Sequence, residues 1–278
     1  MKGHRFASCI FAAALLWLVC GTAWPQPDMT LDPSGAERDA QVYFGPGPSQ
    51  YLTLAERIAR GDALSPADFD PVGTDIDRRF QTGQFRLLIF AWSVGNIAAL
   101  DALLSRGADP LAPLRTTDPP PAQNLLYLIL VSQEPKAAPA MQALLRHGLK
   151  PDYRDPGDGS TLLFSPTSSK NLALATVLLD AGVDPWADNG SYGGNSVLNA
   201  IDSSNFDFVK LLASHGAFKD QPASRIKPLI DDLAGPRQTG DAASLAIQAA
   251  MRLIVEQSGY PVDDPNVRYV LSGGKDAR

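Results

Sequence analysis

A Leu-Leu pair followed closely by glycine recurs along this chain and constrains its fold more than any other feature. The four copies end at Gly107, Gly148, Gly182 and Gly216, so that successive glycines lie 41, 34 and 34 residues apart. Apolar residues at helical spacing precede each glycine, and a glycine just past the last turn is a common way to end a helix. One helical hairpin cannot bury its own apolar face, whereas stacked copies can. The pattern therefore predicts an all-α solenoid of stacked helix-turn-helix units.

The loops that join these units resemble those of the ankyrin-repeat family. The resemblance is carried by Gly107-Ala108-Asp109-Pro110 and Val183-Asp184-Pro185 after the second helix, and by Gly95-Asn96 in the turn between the helices. A period of about 33 residues is that of ankyrin repeats. The family's Thr-Pro-Leu-His opening is degenerate here, and its histidine is absent from all four copies. The resemblance implies a solenoid with short hairpin-like loops over residues 84 to 220.

The rest of the chain is expected to flank this stack. We predict a signal peptide at residues 1–23, a Pro/Gly-rich leader with little structure at 24–50, capping helices at 51–83, four degenerate repeats at 84–220 and a C-terminal helical cap at 221–278. Caps are expected because the terminal units of a repeat array each turn one face to water. In the second repeat, Pro135 and Pro139 predict a longer connection, with the second helix beginning at Ala140.

The N-terminus has the three parts of a secretory signal. Lys2 and Arg5 precede an apolar run, and small residues ending at Ala23 follow it. An uncleaved membrane anchor and a lipoprotein modified at Cys20 are the alternatives. Cleavage would remove Cys9 and Cys20, the only cysteines, so disulfides and thiol chemistry would play no part in the mature protein. The sequence thus predicts a periplasmic protein without a stable membrane span.

The charge balance disfavours nucleic acid as a partner. The chain has 24 basic and 30 acidic residues, a net charge of −6. Loss of Lys2 and Arg5 with the signal peptide leaves 22 basic residues and a net charge of −8. Nucleic-acid binding generally requires a basic face. The balance allows a basic protein partner but does not require one.

Searches for catalytic and metal-binding patterns predict a protein that is not an enzyme and holds no cofactor or metal. His147 and His215 each precede a helix-ending glycine, where a histidine interacts favourably with the helix dipole. Asp152, Asp155 and Asp158 resemble part of a calcium loop, but the alternate-position ligands and the closing glutamate are missing. We therefore interpret this segment as a turn, with calcium binding as the alternative.

Recognition of another protein is the function that remains. The loops between repeats carry the residue types that dominate protein interfaces, and insertions in repeat proteins fall on the binding side. The candidate partner-binding residues are Arg115, Tyr153, Arg154, Trp186, Asn189 and Tyr192. Local packing of the aromatic rings against neighbouring loops is the alternative for each.

The resemblance also implies a class of partner. Exported bacterial ankyrin proteins similar to this chain include immunity proteins that neutralise secreted antibacterial enzymes, and the implied partner is a toxic hydrolase such as a phospholipase. Acidic loop and helix residues are expected to steer a basic partner towards the stack: Asp155, Asp158, Asp184, Asp188, Asp202 and Asp207. The alternatives are a non-inhibitory scaffold for a periplasmic enzyme such as a catalase, and an enzyme with an unrecognised C-terminal site.

Overall fold

The computed structural model describes residues 35–80, 85–114, 123–235 and 241–274. Within these ranges the regular structure is helical, with isolated β-bridges but no strand, which confirms the predicted all-α class. The predicted signal peptide and the candidate residue Arg115 lie outside the described residues. No helix in the described ranges is long and apolar enough to cross a membrane.

In the described residues, helices alternate with connections of unequal length. The α-helices are α1 (Ala36–Phe44), α2 (Ser49–Ala59), α3 (Leu87–Val94), α4 (Ile97–Ser105), α5 (Leu125–Val131), α6 (Ala137–Arg146), α7 (Phe164–Ser169), α8 (Leu172–Asp180), α9 (Ser196–Asp202), α10 (Phe206–Ser214), α11 (Ala223–Leu233), α12 (Asp241–Ser258) and α13 (Pro265–Leu271). Two 3-10 helices span Pro66–Val72 and Gly190–Tyr192.

From α3 to α12 the helices pack as two rows, which gives a repeat-like fold. Helices α5, α7, α9 and α11 contact one another in succession and form the first row. Helices α4, α6, α8, α10 and α12 form the second row in the same way. Each hairpin also packs its own two helices together, as α3 does with α4 and α9 with α10. The buried side chains of both rows join in one continuous apolar core.

Three asparagines each bond their own hairpin to the unit before it. Asn96, Asn171 and Asn205 cap the second helix of their units, where the side-chain oxygen accepts the N–H group three residues later at 3.0 to 3.3 Å. The amide nitrogen of the same side chain donates to a backbone carbonyl of the preceding unit. Its acceptor is Ser132 at 2.7 Å for Asn171 and Thr167 at 3.1 Å for Asn205. One side chain therefore both begins a helix and fixes the spacing between units.

The two histidines also connect neighbouring units. His147 and His215 are the C-terminal caps of α6 and α10. The Nε2 atom of His147 lies 3.0 Å from Asp101 Oδ1, and that of His215 lies 3.0 Å from Asp180 Oδ1. Both aspartates belong to the second helix of the preceding unit. The position of each histidine at a helix end agrees with the expected interaction with the helix dipole. The contact with an aspartate also links each histidine to the preceding unit.

The segment predicted as a leader with little structure contains helix α1, so that prediction is wrong for residues 36–44. Ala36, Ala40 and Phe44 recur every fourth residue and are buried. Tyr43 stacks on Phe85 with 3.7 Å between ring centroids. Surrounding proline and glycine residues mask this short helical pattern in the sequence. The helix is stable because its one apolar face packs against α2.

Pro139 corrects a second expectation. It does not lengthen the connection between helices, because α6 begins at Ala137 and Pro139 lies in its first turn. The first N–H groups of a helix have no acceptor within the helix, so a proline there removes no helical hydrogen bond. The second helix of this repeat is consequently longer at its start than the sequence pattern predicts.

Candidate partner-binding groove

A groove of about 240 Å³ lies between the first-row helices α5 and α7 and the loops that follow α6 and α8. Its aromatic and acidic lining residues are Tyr127, Tyr153, Asp155, Asp158, Phe164 and Tyr192. We call this feature the tyrosine groove. It combines four rings with two carboxylates on the side of the stack where the loops between units meet.

Two of the tyrosines are more exposed than large apolar side chains usually are. Tyr192 is 59% exposed and Tyr127 is 42% exposed. One face of the Tyr192 ring stacks on Phe164, with 4.2 Å between centroids and 22° between planes. Because that stack fixes the ring, Tyr192 presents a rigid aromatic surface to solvent and loses little conformational freedom on binding.

The position of Tyr192 depends on a close approach between two loops. The backbone N–H of Ser191 donates to the carbonyl of Asp158 at 2.7 Å. Gly190 has a φ of +59°, and a Cβ atom there would lie 2.1 Å from the same carbonyl oxygen. Only glycine satisfies both conditions, because it tolerates this backbone conformation and has no side chain to clash. Gly190 thus allows Asp158 and Tyr192 to reach the same groove.

The two carboxylates are held by their own loop. Asp155 Oδ1 accepts the backbone N–H of Gly157 at 2.7 Å, and Asp158 Oδ1 accepts that of Ser160 at 2.8 Å. These are the turns for which aspartate is favoured in loops, since its side chain replaces a backbone acceptor. The turn predicted for this segment is therefore present, and it fixes both charges at the edge of the groove.

The charges of the groove act on its tyrosines. Burial, followed by the negative charges of Asp155 and Asp158, raises the pKa of Tyr153. The pKa of Tyr192 is raised by burial and then by the negative charge of Asp158. No lysine, arginine or histidine is among the described residues that line the groove. The groove therefore carries negative charge and neutral phenols, with no basic side chain in its described lining.

Of the five proposed partner contacts that lie among the described residues, two line the tyrosine groove, Tyr153 and Tyr192. Arg154 donates from Nη1 to the Gly159 carbonyl at 3.0 Å and also to the Asp188 carbonyl. Asn189 is 1% exposed and accepts a hydrogen bond from the Thr161 hydroxyl at 2.9 Å. Arg154 and Asn189 thus hold the two loops together rather than line the groove.

Trp186 lies outside the groove and packs on the next unit. Its Nε1 atom donates to the Ala217 carbonyl at 2.8 Å, and its ring meets Phe218 edge-on with 6.5 Å between centroids. The guanidinium of Arg225 lies 5.4 Å from the centroid of the Trp186 ring. These contacts agree with local packing, the alternative that the sequence left open for this ring.

Tyr127 and Phe164 were not among the residues proposed from the sequence. Tyr127 belongs to α5, whose remaining residues are all aliphatic. Leu125, Leu126 and Ile129 of this helix are buried. The spacing of apolar residues in the sequence shows which face of a helix is buried. An aromatic residue outside that face can therefore be recognised from the sequence as a candidate for the surface. Phe164 gives no such signal, because its role depends on Tyr192, which approaches from a different loop.

The described residues show no arrangement suited to a metal ion. No group of three or more His, Cys, Asp and Glu side chains in the described ranges is placed to hold one. Asp155 and Asp158, two members of the calcium-like segment, instead bond to amides of their own loop. What this part of the molecule offers is a concave surface of rings and carboxylates.

The fold and the groove define the class of protein as far as the described residues show it: an all-helical, repeat-like protein with an aromatic and acidic groove on one side. No protein-family model matches the chain, and no curated protein matches it. Its function is therefore argued from the groove itself.

Proposed function

We propose that this chain is an ankyrin-type repeat protein that binds another protein through the tyrosine groove. The paired rows of helices, the recurring glycines and the period of about 34 residues between Gly148, Gly182 and Gly216 support the ankyrin type. The proposed place of action is the bacterial periplasm, supported by the signal-like sequence at residues 1–23.

The exposure of Tyr127 and Tyr192 beside two fixed carboxylates carries the proposal. Large aromatic side chains exposed on a rigid, concave surface are typical of binding sites, and tyrosine is enriched among the residues that dominate interface energies. The groove lies where the loops between units converge, which is the side that repeat proteins commonly use for recognition. A rigid surface of this kind needs little reordering when a partner binds.

We further propose that binding inhibits the partner, as an immunity protein inhibits a secreted antibacterial enzyme. The support for this step is the resemblance to exported bacterial ankyrin proteins, which makes a toxic hydrolase such as a phospholipase the first partner to test. A rigid stack placed over an active site would exclude substrate without any chemistry of its own. The acidic net charge suits association with a basic enzyme surface.

The test is a co-purification of this protein with the product of the neighbouring gene, at low and at high salt. We expect a complex of equal stoichiometry that Tyr127→Ala and Tyr192→Ala weaken by at least about tenfold each, as truncation of central interface tyrosines does. Leu245→Ala is the matched control, because Leu245 is 65% exposed on α12 and lies outside the groove. The variants should unfold at the same urea concentration as the wild type.

The outcomes separate the functions. Loss of the partner's enzymatic activity in the complex supports inhibition. Unchanged or increased activity would instead support the alternative function, a non-inhibitory scaffold. Binding that the two tyrosine variants leave intact would reject the groove as the interface. Absence of any complex at both salt concentrations would reject a stable partner from the neighbouring gene.

A further inference from the structure

We infer that the tyrosine groove accepts an arginine side chain of the partner protein, with the guanidinium lying on the open face of Tyr192 and bonded to the carboxylates of Asp155 and Asp158. This inference rests on the proposed function and names the chemistry that the groove recognises.

The charge of the groove is the first argument. Asp155 and Asp158 form no ion pair with any described basic residue. Each keeps Oδ1 on a backbone amide of its own loop, so the carboxylates are oriented before anything binds. Two fixed negative charges with no ion-pair partner among the described residues attract a cation, and the attraction strengthens as a bound group displaces water.

The aromatic rings are the second argument, and they select the kind of cation. Phe164 covers one face of Tyr192, and the remainder of that ring is largely exposed. A planar guanidinium stacks on such a face and donates several hydrogen bonds in its own plane. Tyr192 and Asp158 line the same groove, and the neighbouring Ser191 N–H donates to the Asp158 carbonyl at 2.7 Å, so the ring and the carboxylate lie within reach of one guanidinium. An ammonium group has no plane to stack and no paired donors for a carboxylate.

The size of the groove is the third argument. A volume of about 240 Å³ suits one long side chain and excludes a helix, whose diameter with side chains is about 10 Å. Tyr153 and Tyr127 flank the same space and would contact the apolar stem of an arginine. The groove would thus hold one anchoring residue, while the surrounding loops contact the rest of the partner.

The test uses three small probes on the purified protein: Nα-acetyl-arginine amide, its lysine counterpart and its citrulline counterpart. Citrulline has nearly the shape of arginine but no charge. We expect the arginine probe to shift the amide NMR signals of Ser160 and Ser191 in a saturable way. The lysine probe should bind more weakly, and the citrulline probe should cause no saturable shift.

Isosteric variants test the carboxylates. Asp155→Asn with Asp158→Asn keeps both Oδ1 acceptors, so the loop should fold as before, and we expect the Kd of the arginine probe to rise by at least about tenfold. Asp184→Asn is the control. Asp184 Oδ1 accepts the backbone N–H of Trp186 at 2.9 Å, as Asp155 and Asp158 accept amides of their own loop, but Asp184 does not line the groove. Equal binding of arginine and citrulline, or equal Kd values for the wild type and the double variant, would overturn the inference.

The same double variant separates this inference from the proposed function. If the complex with the partner protein forms with wild-type affinity despite the two substitutions, the arginine contact is rejected while the protein-binding role stands. If the arginine probe binds but no complex forms with the neighbouring gene's product, a stable partner from that gene is rejected while the groove keeps its guanidinium site. Loss of both probe and partner binding in the double variant supports the two proposals together.

Discussion

Single residues fix the local geometry of this chain, and Asp68 shows how strongly. It lies in a capping box at the start of the 3-10 helix Pro66–Val72. Arg57 donates to its Oδ1 atom at 2.8 Å, and the backbone N–H of Ser65 donates to Oδ2 at 2.7 Å. The hydrogen bond from Arg57, followed by the bonds from Ser65, lowers the pKa of Asp68 to about 2.

This pKa predicts a specific dependence on pH. The folded pKa of Asp68 is below the unfolded value of about 3.9, so the stabilisation is complete above the unfolded value and is lost as pH falls through the folded one. Carbon-13 NMR titration of the Asp68 carboxyl should show this low pKa in the wild type and a higher one in Arg57→Gln. Asp231, whose pKa is lowered by the hydrogen bond from Lys227, should titrate identically in both proteins. An unchanged Asp68 midpoint in the variant would contradict the assignment.

The groove shows which residues the sequence can and cannot identify. Tyr153 and Tyr192 could be proposed because both are aromatic residues in loops between predicted repeats. Their meeting with Phe164 could not, because it depends on the contact between two loops that Gly190 permits. Trp186 is likewise an aromatic residue in a loop between predicted repeats, yet it packs on Phe218. Residue type alone therefore predicts candidates, and the loop geometry selects among them.

At the scale of helices, prediction succeeds where a pattern is complete within one segment. Helix α10 spans Phe206–Ser214, within the region 84–220 predicted to contain the repeats, and α12 spans Asp241–Ser258, within the segment 221–278 predicted to be helical. It fails for α1, whose pattern is surrounded by turn-forming residues. Helical spacing reports the face that a helix buries. Because α1 and α10 are both nine residues long, the surrounding proline and glycine residues, and not the length of α1, hide its buried face.

The asparagine caps connect helix formation to the spacing of the stack. Asn205 is 4% exposed, and its amide donates to Thr167 across the unit boundary at 3.1 Å. Asn205→Asp keeps the capping oxygen but places a carboxylate oxygen against that carbonyl. We expect a loss of about 2–4 kcal/mol in the free energy of unfolding, because a buried donor is replaced by an unpaired charge.

Asn195→Asp is the matched control for that substitution. Asn195 caps α9 by accepting the Leu198 N–H at 3.0 Å, and aspartate is an equally good capping residue. Urea unfolding at neutral pH should therefore show a change within about 0.5 kcal/mol for this variant. Equal effects of the two substitutions would mean that the bond across the boundary does not stabilise the stack.

The whole molecule is organised by contacts between neighbours in each row. The tyrosine groove lies between α5 and α7, and the second helices of these two units, α6 and α8, each pack between two neighbours in the second row. A unit in the middle is packed on both sides, whereas a terminal unit is packed on one, so local opening is least favourable where the groove is built. The position of the groove thus agrees with a surface that has to stay rigid to recognise a partner.

Packing between neighbours also predicts that a destabilising substitution at one end of the stack increases local opening mainly at that end. Ile58 in α2 and Ile230 in α11 are both fully buried, close to opposite ends of the stack, and Ile→Ala at such positions costs about 2–5 kcal/mol. Hydrogen exchange should show faster amide exchange in α9–α13 for Ile230→Ala and in α1–α4 for Ile58→Ala, with the opposite end as in the wild type. Because each unit of a stack is stabilised only by contacts with its neighbours, the increase in exchange rate should become smaller with each unit away from the substitution. Equal acceleration at both ends in either variant would show instead that the chain opens as one cooperative unit.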